Sequence, residues 1–368
     1  MEEKRLSLRE KLAGLDKLQL LPVLLLFFLG ILSIYSAGAG ASGGGMKFAL
    51  RQLAWGGISA AAFLFVLHIG YARIFGLAYP IYVGALMVLF SVMVLGLTVK
   101  GSQSWLSLGF LRFQPSEFGK VALILVLAKH LCRYPPLTAS SFLSALGLAG
   151  ASGMLVLLQP DAGSALVYGA ITLVTVSAAG TPWKYPLTLG GMALLFIPFG
   201  WGILKEYQKA RIMVFIDPWS DPLGAGYNVI QSRIAVGSGG LLGKGFLEGM
   251  QSKLRFLPEP HTDFIFSVFS EEFGFVGAIG ILLLFGLLFW RLLDTGMRTK
   301  DSRAKVLIAG ISAWIWFQTA ESIGMSMGLL PVTGLPLPFV SYGGSSLLAL
   351  SIALALAQSV YLSTLKSY

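Results

Sequence analysis

Apolar side chains run almost without interruption through ten stretches of this chain, at 18–37, 50–70, 79–98, 116–132, 141–158, 162–180, 186–204, 263–290, 305–328 and 339–362. A helix needs roughly 20 residues to cross about 30 Å of hydrocarbon, and these stretches are of that order. Inside lipid every backbone N–H and C=O must find a partner within the protein, so each stretch predicts a helix. None has the alternating pattern of a barrel strand. The expected fold is all-α, a polytopic integral membrane protein with about ten transmembrane helices and one large extracytoplasmic loop. The polar breaks divide it into a tail at 1–17, seven spans within 18–204, the loop at 205–262, three spans within 263–362 and a tail at 363–368.

Composition narrows the choice further. Of 368 residues 55% are apolar and 12% charged, with mean hydropathy +0.77. A soluble chain carries about 25% charged residues, so this one cannot build a soluble exterior. A soluble enzyme, a disordered chain and a disulfide scaffold are excluded. The single cysteine, Cys132, can form no intrachain disulfide, and His68, His130 and His261 are too scattered to predict a His/Cys metal site.

A net charge of +10 would suggest nucleic acid in a soluble protein; in a membrane protein it predicts positive-inside bias, and no nucleic-acid partner is expected. With the N-terminus cytoplasmic, the inner segments hold fifteen basic residues (among them Lys4, Arg5, Arg9, Lys11, Arg73, Arg298 and Lys366) and the short outer loops four, Lys47, Arg51, Lys100 and Arg112. Both termini are therefore expected inside. Ala37-Gly38-Ala39 resembles a signal-cleavage site, but the run before it is too long for a signal core and nine spans follow, so the first helix is read as retained. No internal repeat is visible, against a repeat-built transporter.

Charge inside the spans is rare and therefore informative. No acidic residue occurs between Asp16 and Glu117. Glu117 and Lys120, three apart on one helix face, read either as an ion pair that lets the helix insert or as a polar wall of a substrate cavity. Asp161, in Gln159-Pro160-Asp161, reads as the cap of the next helix or as an orienting group for a neighbouring catalytic residue. In Pro258-Glu259-Pro260-His261-Thr262-Asp263, Thr262 or Asp263 would cap a helix. An acid held ionised there, at the water–lipid boundary, is equally a candidate general base. Glu271, Glu272 and Glu321 fall deeper within spans. Gly243-Lys244 mimics the end of a nucleotide-binding P-loop, but Ser238 and Gly245 fail its two ends; the glycine run from Gly237 to Gly245 could still offer N–H groups to a phosphate.

Taken together, Gln114–Lys120, Gln159–Ser164, Asp217–Tyr227 with Gly237–Asp263, and Leu330–Ser346 resemble the SEDS family, the shape, elongation, division and sporulation proteins typified by RodA, FtsW and SpoVE. These motifs span about two-thirds of the chain. The short termini are more similar to RodA than to FtsW. The resemblance implies a peptidoglycan glycosyltransferase of the bacterial cytoplasmic membrane that polymerises lipid II, with a class B penicillin-binding protein as transpeptidase partner. It implies Asp263 as the essential acid, Glu117 and Lys120 as cavity residues and Asp161 as the turn acid. Ser104, where arginine is common, and Glu321-Ser322, in place of a more usual apolar–Asn pair, depart from the pattern.

The chemistry so implied is inverting transfer from an α-linked undecaprenyl pyrophosphate to a GlcNAc 4-hydroxyl. It requires a base, for which Asp263 is the candidate, and cations for the leaving pyrophosphate, for which Arg211 and Lys244 are candidates. His261 and Thr262 are placed with the substrate-binding residues. No tightly bound cofactor is expected; a divalent cation, Mg or Mn, could act through Asp263. The competing expectation is a lipid II flippase, whose polar path Glu117, Lys120 and Glu321 would suit equally well, with Glu271 and Glu272 as further support; a weaker one is a scaffold that anchors its partner only.

Overall fold

The computed structural model describes residues 8–39, 44–99, 102–108, 111–203, 206–224, 226–254 and 256–365. Lys4, Arg5, Lys100 and Lys366, counted in the orientation argument, lie outside these, as do parts of both predicted tails.

A short helix α1 (Leu8–Ala13) precedes α2 (Lys17–Gly38), α3 (Gly45–Ile69), α4 (Tyr71–Gly76) and α5 (Ala78–Leu95). After a small sheet come α6 (Pro115–Arg133), α7 (Ala139–Leu158), α8 (Ala162–Ala178) and α9 (Lys184–Ile203). The predicted large loop holds α10 (Glu206–Ile216), a 3-10 turn, α11 (Tyr227–Ser238) and α12 (Met250–Lys253), and α13 (Ile265–Arg298), α14 (Ser302–Met327) and α15 (Gly344–Leu365) complete the chain. Ten of these helices fall on the ten apolar stretches. Seven, α2, α3, α5, α7, α13, α14 and α15, are long and apolar enough to cross a membrane by length and composition. Of the rest, α6 is interrupted by Glu117, Lys120 and Lys129, and α8 has only 17 residues. This is a multi-pass membrane protein.

The helical expectation missed one element. Residues Leu97–Val99 (β1), Ser102–Leu108 (β2) and Leu111–Phe113 (β3) form an antiparallel meander in the order β1-β2-β3. Ser102 Oγ donates to Ser104 Oγ at 3.1 Å and to the Gln159 carbonyl at 2.8 Å, which ties this sheet to the turn before α8.

Burial sorts the helices. α6, α14 and α15 are enclosed along most of their length, α14 packing on α6, α8 and α13 and α15 on α3. The outer helices turn side chains such as Leu24, Phe28, Phe65, Phe90 and Leu283 outward, the arrangement expected where lipid is the solvent. The start of α2 and the end of α15 lie at one end of the bundle. There Asp16 caps α2, pairs with Arg291 at 2.8 Å and donates its backbone N–H to Gln358 at 3.0 Å.

At the opposite end α13 is not continuous. Gly274 has φ +65° and ψ −163°, a conformation nearly closed to residues with a Cβ, and it breaks the helix into 265–273 and 275–298. The backbone groups freed by this break pair with the glycine run: Lys244 and Gly245 donate to the carbonyls of Glu271 and Glu272, both at 3.0 Å, while Phe275 and Val276 donate to those of Gly240 and Leu241 at 2.9 and 3.1 Å. A Cβ at Gly274 would stand 2.2 Å from the Gly243 nitrogen. Gly274→Ala is therefore expected to destabilise the protein by roughly 2–3 kcal/mol. Thermal unfolding in detergent checks this, and limited proteolysis should show residues 239–256 opening first.

This docking corrects two expectations. The glycine run is not a free phosphate cradle, because the N–H groups of Gly243, Lys244 and Gly245 already donate to carbonyls. Glu271 and Glu272 do not sit alone in a span: they lie at the break, against the outer segment. Glu271 Oε1 accepts from Lys244 Nζ at 2.7 Å and from the backbone of Met250 at 2.9 Å, and Glu272 accepts from the Ser36 hydroxyl.

Candidate active site

The turn that carries Asp263 is compact. Glu259 has φ +48°, and its carbonyl accepts from the N–H groups of Thr262 and Phe264 at 3.2 and 3.4 Å. Phe264 is buried, whereas His261, Thr262 and Asp263 are half-buried. No side-chain cap is formed at the start of α13, where Phe264 takes the cap position. Neither Thr262 nor Asp263 occupies the cap position itself. The His261 ring stacks on Phe48 with centroids 4.5 Å apart and lies 5.7 Å from Tyr342, so an aromatic cluster fixes its orientation.

One loop, 328–343 between α14 and α15, gathers the remaining motif residues. Its far arm holds the Asp263 turn: Ser341 Oγ donates to the Thr262 carbonyl at 2.6 Å and accepts from the Leu337 N–H at 2.8 Å. The Tyr342 N–H donates to the His261 carbonyl at 2.9 Å. Its near arm approaches the carboxylate itself. Gly334, with φ +77°, leaves open the side facing Asp263, where a Cβ would lie 3.6 Å from Asp263 Oδ2.

Beneath this loop lies the charge pair of α6. Lys120 Nζ donates to Glu117 Oε1 at 2.7 Å, both side chains being at most 1% exposed. It also donates to Gln318 Oε1 at 3.0 Å and sits 5.2 Å above the Trp314 ring. Gln318 Nε2 in turn donates to the Pro336 carbonyl at 2.8 Å. The pair thus supports the loop from below and does not float in the bundle.

Asp161 caps α8, accepting from the Ser164 N–H at 3.0 Å and its hydroxyl at 2.8 Å. The capping reading of Asp161 is the one these contacts match, and the helix it caps presents Gly163 to the loop, where a Cβ would stand 3.0 Å from the Thr333 carbonyl oxygen. Asp161→Ala is expected to lower stability by about 1 kcal/mol, as for other N-caps. A chemical or thermal unfolding series checks the value.

Sequence and fold are shared with chains already characterised. Residues 16–365 match the FtsW/RodA/SpoVE cell cycle protein family. The chain belongs to the SEDS family. Among its relatives, the peptidoglycan glycosyltransferase MrdB of Escherichia coli K12 is 39% identical over 351 residues, 94% of each chain. Stage V sporulation protein E of Bacillus subtilis is 37% identical, over 94% of this chain and 96% of that one. Two solved structures share the fold. One, from a peptidoglycan synthase complex that coordinates polymerization and crosslinking, has TM-score 0.82 at 35% identity and covers 95% of this chain and 98% of that one. The other, rod shape determining protein RodA of Thermus thermophilus, has TM-score 0.72 at 30% identity, covering 95% and 97%.

Within this SEDS chain the structure therefore unites Asp263, His261, Thr262, Asp161, Glu117 and Lys120 around a single loop. The two cation candidates stand differently. Arg211 lies on an exposed face of α10. Lys244 is held on Glu271, and a pyrophosphate there would have to compete with that carboxylate. Sequence reasoning missed Gln318, Thr333, Gly334 and Ser341 as working parts. The glycine and proline content of Leu330–Ser346 was the available signal, since a polar-backboned loop this close to lipid must line protein interior. Among the described residues no three His, Cys, Asp or Glu side chains gather into a metal-holding group.

Proposed function

We propose that this chain is a peptidoglycan glycosyltransferase that polymerises lipid II at the outer face of the bacterial cytoplasmic membrane, with both termini in the cytoplasm. The observation that carries the reading is Asp263, half-buried at the bundle end opposite the termini, with its backbone pinned and its carboxylate facing a glycine. A base fixed in this way can take a proton from a bound hydroxyl without first reorganising.

In the reaction, Asp263 removes the proton of the GlcNAc 4-hydroxyl of one lipid II. The oxygen attacks the anomeric carbon of the growing strand from the face opposite its pyrophosphate. The C–O bond to undecaprenyl pyrophosphate breaks, and configuration inverts. Arg211 supplies charge to the leaving group. Among the described residues no group of acids and histidines forms a cage for a resident metal, but Mg or Mn carried on the pyrophosphate needs only one or two carboxylates, and Asp263 would provide one; its chemistry would be neutralisation of phosphate charge. His261 and Thr262 line the approach to the base. The partner we infer is a class B penicillin-binding protein, by analogy with the complex in which a structural relative was solved.

Transport, the other reading, is less favoured by the contacts of the deeper acids. Glu271 ties the outer segment to the bundle, Glu272 accepts from Ser36 of α2, and Glu321 lies six residues from the end of α14, on the Asp263 side. The test is labelled lipid II given to the purified protein, with and without a class B partner. Glycan strands are expected. Translocation across vesicles with no polymer formed would replace the enzyme by a flippase.

A further inference from the structure

Glu321 is a carboxylate that the reaction above does not use. It is 5% exposed on α14, and its Oε1 accepts a hydrogen bond from Thr333 Oγ1 at 3.0 Å. Three residues earlier on the same helix face, Gln318 Nε2 holds the Pro336 carbonyl at 2.8 Å. Helix α14 therefore grips the loop at two points, residues 333 and 336, and Gly334 lies between them. Gly334 is the residue whose bare Cα faces Asp263, a Cβ there being 3.6 Å from Oδ2. On the other side the N-terminus of α8 closes the clamp, for a Cβ on Gly163 would meet Thr333 and Leu335 at 3.0 to 3.2 Å.

Resting on the polymerase reading, we propose that Glu321 is a positioning residue for the glycosyl transfer: through Thr333 it fixes where Gly334 stands against the Asp263 carboxylate. The far arm of the loop is secured separately, through Ser341 and Tyr342 to the backbone of residues 261 and 262. Loss of the Glu321 anchor therefore leaves the Asp263 backbone in place and frees only the near arm. A displacement of about 1 Å at a reacting group is worth up to 10²-fold in rate. The work of Glu321 is hydrogen-bond acceptance, not charge.

The experiment measures kcat and KM for labelled lipid II with wild type, Glu321→Ala, Glu321→Gln, Thr333→Val and Thr333→Ser, each first shown to be monodisperse and folded by its unfolding temperature in detergent. Glu321→Ala and Thr333→Val are expected to lower kcat roughly 10- to 100-fold with KM within about twofold. Glu321→Gln and Thr333→Ser, which keep the acceptor and the donor, should rescue most of that loss. The double variant Glu321→Ala/Thr333→Val should be no worse than either single one, since both remove the same bond. Four results overturn the proposal: unchanged kcat in folded Glu321→Ala; a loss confined to KM; failure of Glu321→Gln to rescue, which would assign the role to charge; or additive losses in the double variant. Wild type that makes no polymer removes the polymerase reading and this inference with it. Polymer from wild type with normal Glu321→Ala removes this inference alone.

Discussion

Asp263→Asn is expected to lower lipid II polymerisation by 10²–10⁴-fold, about 3–5 kcal/mol of barrier, and to leave the protein folded. The substitution is nearly isosteric. Each contact that fixes the turn is made by other atoms: the Glu259 carbonyl, the Ser341 hydroxyl and the Tyr342 N–H. The amide still fits against Gly334. What disappears is the negative charge and its basicity, while the amide keeps one acceptor oxygen, so the unfolding temperature should change far less than the rate. Residual activity is expected, because binding and orientation of the two saccharides survive. A purified Asp263→Asn protein that polymerises at near the wild-type rate would leave the transfer without its base. Loss of both fold and rate would point instead to a structural carboxylate.

Why Asp263 could be singled out from sequence, and Gln318 could not, has a physical reason. Lipid makes every charge in a span costly, so Glu117, Lys120 and Asp263 stand out against a background of Leu, Val and Phe. Helices were equally legible, since apolar length alone reports them. Hydrogen-bonding partners carry no such mark. Gln318 and Thr333 are common polar residues, and their work depends on a fold in which α14 runs under a loop that follows it in the chain. The break at Gly274 was hidden because Phe273-Gly274-Phe275 continues the hydrophobic pattern on both sides; only the conformation at Gly274 reveals it. The β meander escaped for a related reason. Ser102–Leu108 is short and has no clean polar–apolar alternation, with Trp105 and Leu106 adjacent, so it does not stand against twenty-residue helical signals. Glu271, Glu272 and Glu321 do lie within helices, as read from sequence, but their partners were not legible: Lys244 and the Met250 backbone, the Ser36 hydroxyl, and Thr333.

The Glu117–Lys120 pair supplies the second large effect, on stability first and activity second. Lys120→Met should cost about 3–5 kcal/mol, because it leaves the buried Glu117 carboxylate without its counter-charge. Lys120 is 0% exposed and its ammonium donates to both Glu117 and Gln318, so no water can take its place without opening the bundle. Glu117→Gln should cost less, since an amide oxygen still accepts from the ammonium, but it strands a positive charge above Trp314. The double variant Glu117→Leu/Lys120→Met separates the two readings of this pair. Removing both charges in favour of apolar side chains of similar size is close to neutral for stability in other buried pairs. Gln318 Oε1 keeps a donor in Trp314 Nε1 at 2.8 Å, and its Nε2 keeps the Pro336 carbonyl. The loop, and with it Gly334, therefore stays where it is. The double variant is expected to recover the unfolding temperature and most of the polymerisation rate, as a pair enclosed beneath the loop and away from the saccharides requires. A protein restored in stability but still inactive would mean instead that substrate reaches down to these charges, and that the loop over them opens during each turnover.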